Sequence, residues 1–185
     1  MRTEPDADPA GSKVFDTPLG PCGIAWGPLG VRAVQLPQSD AQRTAARLRQ
    51  RVPDAIAAEP PADVRRAIAG ICALLSGERV DLSFVCLDMQ GVPQLHQRVY
   101  EIARGIAPGA TLSYGEIAQR LGDRSLARAV GQALGRNPFA PVVPCHRVLG
   151  AQTGTGGFSA HGGLQTKLKM LEIEGARFGG PGLFD

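Results

Sequence analysis

Apolar and polar positions change pattern along the chain, and each pattern predicts a different element. Between residues 14 and 36, short apolar runs are broken by Pro-Leu-Gly and Gly-Pro-Leu-Gly, which predicts a small antiparallel sheet with tight turns. A basic segment from Asp40 to Arg51 predicts a helix, and a second helix is predicted from Ala62 to Ser76, ended by Gly77. The apolar run VDLSFVCLDM that follows predicts a return to strand.

Helical spacing dominates the second half of the chain. The segment PQLHQRVYEIARGI carries apolar residues along one helix face. In LSYGEIAQRLG, Ser113 and Glu116 form a capping pattern and Gly122 stops the helix. The next segment, SLARAVGQALGRN, predicts a second short helix capped by Ser125 and closed by Asn137-Pro138. Two short helices joined by a turn of about four residues are typical of a helix-turn-helix.

The remaining segments complete a mixed α/β (α+β) fold. FAPVVPCHRVLG predicts an apolar strand that ends in a turn, and LQTKLKMLEIEGA predicts a last helix. We expect a small N-terminal α/β unit with an antiparallel sheet, then a mostly helical C-terminal domain with a winged helix-turn-helix. The expected boundaries are a disordered tail over 1–13, an N-terminal domain over 14–90, a second domain over 91–178 and a C-terminal tail over 179–185.

Composition and charge fit this picture and exclude some classes. The chain of 185 residues is 43% hydrophobic and 20% charged, as in globular proteins. No run approaches the length of a membrane span, and the polar opening MRTEPDADPAGSK has no apolar signal region, so a cytoplasmic protein is expected. Residues 91–185 hold ten Lys/Arg against six Asp/Glu, a bias that suits an anionic partner.

The four cysteines show neither a CxxC pair nor a Cys/His spacing suited to zinc, so no metal site is expected. Cys22, Cys72 and Cys86 are interpreted as small core residues in a reducing compartment. Cys145 differs because it stands in VVPCHRV, directly before a histidine and an arginine.

A cysteine followed directly by a histidine suggests a nucleophile with its base. The nucleophile is the thiolate, and a free cysteine has a pKa near ~8.5, so it needs activation. His146 can take the proton, directly or through one water. Neighbouring side chains on a strand point to opposite faces, so the pair requires a turn, which Pro144 is well suited to begin.

Four ordered motifs, with a looser fifth near the N-terminus, then carry a resemblance to a known family. SYGEIA, ARAVGQALGRNP, VVPCHRV and the terminal GGLQTKLKMLEIEG, over about residues 95–175, are similar to the O6-alkylguanine-DNA alkyltransferases, the methylated-DNA–protein-cysteine methyltransferases. The N-terminal FDTPLGPCGIAW resembles that family's opening hairpin more loosely. The resemblance implies a DNA repair protein that moves an alkyl group from O6-alkylguanine irreversibly to its own Cys145, in a single turnover.

The resemblance also implies roles for individual residues. Cys145 is the acceptor, with His146 as base and Glu172 as the carboxylate behind it. Asn137 holds the backbone around the reactive turn, and Tyr114 donates its hydroxyl to the departing guanine. The residues expected at the DNA, on or beside the second helix, are Arg128, which replaces the flipped base in the stack, the small Ala127, Ala129 and Gly131, and Arg136.

The base pocket is expected to involve the loop before the last helix. The implied lining residues are Tyr114, Pro144, Val148, Gly157, Phe158 and Ser159. Here the sequence departs from the family pattern, because Phe158 replaces a tyrosine and FSAHGG is about two residues longer. The implied partner is double-stranded DNA containing O6-alkylguanine. No cofactor, metal or membrane partner is expected, and a monomer is expected.

Alternatives remain from the residues themselves. An alkyltransferase-like protein would bind lesions without transfer, but such proteins lack the nucleophilic cysteine. A cysteine hydrolase using Cys145 and His146 would leave Arg128 and the helix-turn-helix unexplained. A winged-helix transcription regulator would have no need of Pro-Cys-His-Arg.

Overall fold

The N-terminal part of the chain folds into a four-stranded sheet, as its turn sequences predict. The protein is described by a computed structural model, which covers residues 10–150, 158 and 160–177. The strand order is β3-β2-β1-β4, with the three long strands antiparallel and β4 parallel to β1. The strands are β1 (Gly11–Thr17), β2 (Gly20–Gly27), β3 (Gly30–Gln35) and β4 (Ile56–Ala57). Gly20 and Gly30 follow the two tight turns with φ near +125°, a conformation that favours glycine.

Strand β1 begins at Gly11, inside the segment predicted as a disordered tail. Residues 11–13 pair with the far end of β2, and the ring of Trp26 lies where a Cβ on Gly11 would stand. Residues 1–9 of the predicted tail, and the C-terminal tail over 179–185, lie outside the described residues. The division of the chain at residue 90 stays a prediction.

Helices form most of the remaining described structure. They are α1 (Ala41–Arg51), α2 (Ala62–Leu75), α3 (Gln94–Arg104), α4 (Tyr114–Arg120), α5 (Ala127–Gly135) and α6 (Gly163–Ile173). Asp40 caps α1 by accepting a hydrogen bond from the amide of Arg43, at 2.7 Å. Among the residues that the structure covers, no helix is long and apolar enough to span a bilayer.

Helices α4 and α5 form the predicted helix-turn-helix. The capping box is confirmed, since the Ser113 hydroxyl accepts from the Glu116 amide and the Glu116 carboxylate accepts from the Ser113 amide. The prediction that Ser125 caps the second helix is wrong. The carboxylate of Asp123 instead caps a single 3-10 turn over 124–126, and α5 begins directly after it at Ala127.

Two predicted strands are wrong. Residues 80–89 form turns, because Asp81 accepts hydrogen bonds from the amide and hydroxyl of Ser83, and only a single bridge joins Leu87 to Val31. Residues 139–144 also form turns, with a cis peptide between Ala140 and Pro141. Only 148–149 of that segment are strand (β6), parallel to β5 (Leu112–Ser113).

One hydrophobic cluster runs from the sheet through the helices to the reactive segment. Two hydrogen bonds set the positions that matter for the site. The buried hydroxyl of Tyr100, on α3, donates to the carbonyl of Ala133 at 2.8 Å and fixes α5. The amide of Val34, on β3, donates to the carbonyl of Pro138 at 2.8 Å and ties the N-terminal sheet to the segment before Cys145. Of the three cysteines interpreted as core, only Cys22 is buried, while Cys72 is half-buried and Cys86 exposed.

Candidate active site

Cys145 begins a single 3-10 turn over 145–147, so the chain turns where the sequence predicts. The amide of Arg147 closes the turn on the carbonyl of Pro144 at 2.9 Å. Three residues per turn send successive side chains in different directions, so Cys145, His146 and Arg147 each meet a different part of the protein. All three are buried, with His146 completely so.

His146 and Arg147 share one carboxylate, that of Glu174. The Nε2 atom of His146 lies 2.7 Å from Oε1 of Glu174. Arg147 donates from Nε and Nη2 to the two oxygens of the same carboxylate, at 2.9 and 2.7 Å. Its Nη1 donates to the carbonyl of Ile106. Glu174 thus holds the base and also joins the reactive turn to the last helix.

The prediction that Glu172 supplies this carboxylate is wrong. Glu172 is exposed, whereas Glu174 is 8% exposed and faces the site. Residues two apart on a helix point about 200° apart, so the two side chains cannot exchange roles. The resemblance implies that the preceding loop is about two residues longer than the family pattern, which shifts the matching glutamate by two positions along the chain. The buried face of α6 and its C-cap consists of Lys167, Met170, Leu171 and Glu174.

The Glu174 carboxylate is ionised and fixes the tautomer of the imidazole. Burial alone would raise the pKa of Glu174, but hydrogen bonds and charges from His146 and Arg147 outweigh it and lower the pKa to about 2. Burial lowers the pKa of His146 despite its bond to Glu174, so the imidazole is neutral at physiological pH. An ionised carboxylate can only accept a hydrogen bond, so Nε2 of His146, which lies against Glu174, must be the donor. We therefore infer that the neutral imidazole carries its hydrogen on Nε2.

His146 Nδ1 is therefore the atom that can accept a proton. It is buried and has no hydrogen-bond partner among the described residues. Burial raises the pKa of the Cys145 thiol, while a hydrogen bond from Asn137 and the charge of Lys167 oppose that rise. A thiol in this environment needs a base, and the adjacent imidazole presents a free lone pair.

Asn137 supports the reactive turn, as the sequence predicts. Its Nδ2 donates to the carbonyl of Val143 at 2.8 Å, and its Oδ1 accepts from the amide of Phe139 at 2.9 Å. These bonds satisfy both ends of a buried amide and hold the turns that lead to Cys145.

Sequence reasoning missed Lys167 and Arg147, which are both buried at the site. The Nζ of Lys167 donates to the carbonyl of Val148 at 2.6 Å and lies 6.0 Å from the centre of the Tyr114 ring. Burial lowers the pKa of Lys167 to about 8, partly offset by Cys145. The spacing of Lys167 and Glu174 with the apolar residues of α6 could have revealed a buried polar face. Arg147 stands in the quoted motif, but its sequence position does not show its partner.

A cavity of about 550 Å³ lies between α5 and Cys145. Five of the eleven residues expected at the DNA and the base line it together with Cys145: Tyr114, Ala127, Arg128, Gly131 and Phe158. The other lining residues are Gln132, Leu134 and Gly135. Burial raises the pKa of Tyr114, so its hydroxyl keeps its proton.

Four other expected residues do not line this cavity. Ala129 is half-buried on α5, and Arg136 is exposed at its C-terminal end. Pro144 and Val148 are buried and contribute carbonyls that accept from the Arg147 amide and from Lys167, but they do not line the cavity. Gly157 and Ser159, which the resemblance places in the pocket, lie outside the described residues.

Comparison with known proteins agrees with this site. Residues 94–176 match a family model described as 6-O-methylguanine DNA methyltransferase, DNA binding domain. A methylated-DNA–protein-cysteine methyltransferase of Methanothermobacter thermautotrophicus is 33% identical over 88% of this chain and 84% of its own length. The chain belongs to the methylated-DNA–protein-cysteine methyltransferase family. The resemblance read from the sequence motifs is thereby confirmed.

Other members of this methyltransferase family, and one relative with a different description, extend the comparison. The solved O6-methylguanine methyltransferase of Mycobacterium tuberculosis has a TM-score of 0.70 and 32% identity, covering 94% of this chain and 97% of that one. A structure of the same bacterium's OGT with DNA has a TM-score of 0.65 and 32% identity, covering 89% and 92%. A protein of Thermus thermophilus described as a DNA base-flipping protein is 39% identical over 86% of this chain and 97% of its own length.

The ionisable residues at the site are arranged for nucleophilic chemistry. No group of three His, Cys, Asp or Glu side chains suited to a metal ion occurs among residues 10–150, 158 and 160–177. The arrangement offers one buried thiol and one protonated phenol at a common cavity. The residue after the thiol supplies a neutral imidazole that a carboxylate orients.

Proposed function

We propose that this protein repairs O6-alkylguanine in double-stranded DNA by transferring the alkyl group to the sulfur of Cys145. The observation that carries the proposal is the pairing of two features. Cys145 lines the cavity beside α5, and the next residue presents an unpartnered Nδ1 with its Nε2 bound to Glu174. The methylated-DNA–protein-cysteine methyltransferase of Methanothermobacter thermautotrophicus, a relative in the same family, supports the same reaction.

The proposed reaction is a nucleophilic displacement at the alkyl carbon of the lesion. The Cys145 thiol proton passes to Nδ1 of His146 through one water, since Nδ1 has no direct hydrogen-bond partner among the described residues. The thiolate then attacks the alkyl carbon in line with the O6 bond. An S–C bond forms as the C–O6 bond breaks, and its electron pair goes to the guanine oxygen. The Tyr114 hydroxyl, at the same cavity, supplies a hydrogen bond or proton to the departing base. A thioether remains on Cys145, so each molecule reacts once.

Access to the O6 atom requires the base to leave the stack. Arg128 is exposed on the first turn of α5 and lines the same cavity, so its guanidinium can fill the gap that an extruded base leaves. The small residues Ala127 and Gly131 let the helix approach the DNA closely. Lesion binding without transfer is not favoured, because the nucleophile and its base are both in place. Action in the cytoplasm, as a monomer, remains part of the proposal.

The reaction is tested by incubating the protein with a duplex that carries radiolabelled O6-methylguanine. We expect label to reach one methyl group per protein molecule and then stop. Peptide mass analysis should place the added mass on the fragment containing Cys145. The other three cysteines are internal controls, and the exposed Cys86 reports non-specific alkylation. Repeated turnover, or label on Cys86 instead of Cys145, would contradict the proposal.

A further inference from the structure

Cys145 lies between two cavities. The second, of about 310 Å³, shares only Cys145 and Phe158 with the cavity beside α5. Its other walls come from the N-terminal part of the chain, from the segment before Cys145 and from the segment after Phe158. They include Leu36 directly after β3, two arginines of α1, and Ala140. The sulfur can thus be reached from two compartments that differ in their lining.

The second cavity is lined by cations without a matching anion. Apart from the thiol, its ionisable lining residues are Arg47, Arg51 and His161, and none is acidic. Arg47 and Arg51 are four residues apart on α1 and so share one face. Within the described ranges neither forms a salt bridge, and Arg47 donates only to the amide oxygen of Gln50 at 2.9 Å.

The charge state of Arg51 is influenced by Arg47 and by the reactive sulfur. Burial and the charge of Arg47 lower the pKa of Arg51, and the charge of a Cys145 thiolate raises it. Two like charges beside a partly enclosed cavity are relieved by an anion placed between them. Gln38, from the loop before α1, adds a neutral polar group to the same wall.

The geometry of the transfer reaction explains which part of a lesion would enter this space. In an in-line displacement, sulfur, carbon and O6 lie on one line, and the other substituents of the carbon project to the side. A methyl group has only hydrogens there and needs no further room. A larger O6 substituent must extend into space that adjoins the sulfur and is not filled by guanine. With guanine in the cavity beside α5, the cavity lined by Arg47 and Arg51 is that space.

We propose that the second cavity receives the O6 substituent and that Arg47 and Arg51 favour lesions whose substituent ends in a carboxylate. The inference rests on the proposed alkyl transfer and adds the substrate class. The simplest such lesion is O6-carboxymethylguanine. The thiolate attacks its methylene carbon, the C–O6 bond breaks with its electrons going to oxygen, and S-carboxymethylcysteine remains. The carboxylate is retained and lies against the two guanidinium groups.

The test compares lesions of equal size that differ in charge. Single-turnover rates are measured on duplexes carrying O6-carboxymethylguanine, its neutral isostere O6-carbamoylmethylguanine, and O6-methylguanine. We expect the carboxymethyl-to-carbamoylmethyl rate ratio to fall about tenfold when Arg47→Gln and Arg51→Gln are combined, as for a partly exposed charge-assisted contact. Arg49→Gln is the matched control, because Arg49 is an exposed arginine of the same helix that lines neither cavity. It should leave the ratio unchanged.

The possible outcomes separate this inference from the function on which it rests. If the wild-type protein takes no methyl group, the proposed function fails. If methyl is transferred but the ratio is the same in wild type and double variant, the inference is overturned. A parallel loss on all three lesions also overturns it, since that would show that the arginines bind DNA phosphates or activate the thiol. The inference is also overturned if the wild-type protein accepts a methyl group but no carboxymethyl group.

Discussion

Replacing Glu174 by glutamine is expected to slow alkyl transfer by at least about a hundredfold, whereas Glu172→Gln should change the rate by less than about twofold. The carboxylate fixes the hydrogen of His146 on Nε2, at 2.7 Å, and leaves Nδ1 free to accept the thiol proton. A glutamine amide can donate to Nε2 instead, which moves the imidazole hydrogen to Nδ1 and removes the base. Single-turnover transfer from an O6-methylguanine duplex measures both rates.

The pH dependence of the rate shows whether Glu174 acts through this proton transfer. With the base disabled, reaction depends on spontaneous ionisation of Cys145, so the variant should recover relative to wild type as pH rises. A defect caused by misfolding would not recover. Equal rates for the Glu174 variant and wild type, or a slow Glu172 variant, would contradict the assignment.

The same substitution should change stability in acid, and the sign follows from the pKa. The pKa of Glu174 falls from 4.5 to about 2 on folding, so its stabilisation is complete above 4.5 and is lost as pH falls towards 2. The free energy of unfolding of wild type relative to Glu174→Gln should therefore decline by about 3 kcal/mol over that range. Urea unfolding at a series of pH values measures the difference. A difference that does not vary with pH would show that the carboxylate is not held by His146 and Arg147.

Replacing Arg128 by alanine is expected to slow repair of a duplex lesion by about a hundredfold while changing the reaction with free O6-benzylguanine by less than about threefold. Extruding a base costs a few kcal/mol of stacking and pairing, which an inserted side chain offsets. A free base has no stack to leave, so it does not need Arg128. Arg128 is exposed at the cavity edge and is not part of the Cys145, His146 and Glu174 arrangement.

Arg120→Ala is the matched control for the charge of Arg128. Arg120 is exposed on the last turn of α4 and does not line the cavity. Its removal should weaken duplex repair only through phosphate attraction, with a small effect that disappears at high salt. Equal losses for the two substrates in Arg128→Ala, or equal losses in both variants on duplex DNA, would contradict a role in base extrusion.

Turns, helices and a capping box were predicted correctly where they depend on residues that lie close together in the sequence. The Pro-Leu-Gly turns, the basic helix after Asp40 and the Ser113–Glu116 capping box each use residues close in sequence, and the structure confirms them. Residues 80–89 and 139–144 were predicted as strands because each contains an apolar run. Such a run does not show whether the backbone hydrogen-bonding groups pair with another strand or with side chains and turns. Leu82, Val85 and residues 139–144 are buried by tertiary packing, which hydrophobic periodicity does not show.

Cys145 and His146 were predicted from one motif and the other site residues from the family resemblance, and the carboxylate, which is distant along the chain, was assigned to the wrong glutamate. Cys145, His146 and Asn137 lie close in sequence, and their positions follow from the turn. The carboxylate comes from another element, so its identity depends on the length of the loop between them. Two residues of loop length decide between Glu172 and Glu174, and the motif Leu-Glu-Ile-Glu-Gly offers both. The partner of Arg147 could not be predicted for the same reason.

The hydrogen bond from the Val34 amide to the Pro138 carbonyl has a consequence for how this chain can be cut. The segment that the family model matches, 94–176, carries the nucleophile, its base and the helix-turn-helix. Severed from β3, it would lose the donor that anchors the approach to Cys145, and the wall of the second cavity with it. Without this donor the carbonyl of Pro138 would be unpaired, and the segment that leads to Cys145 would be less firmly held. The N-terminal sheet thus positions the reactive segment, although none of its atoms takes part in the alkyl transfer.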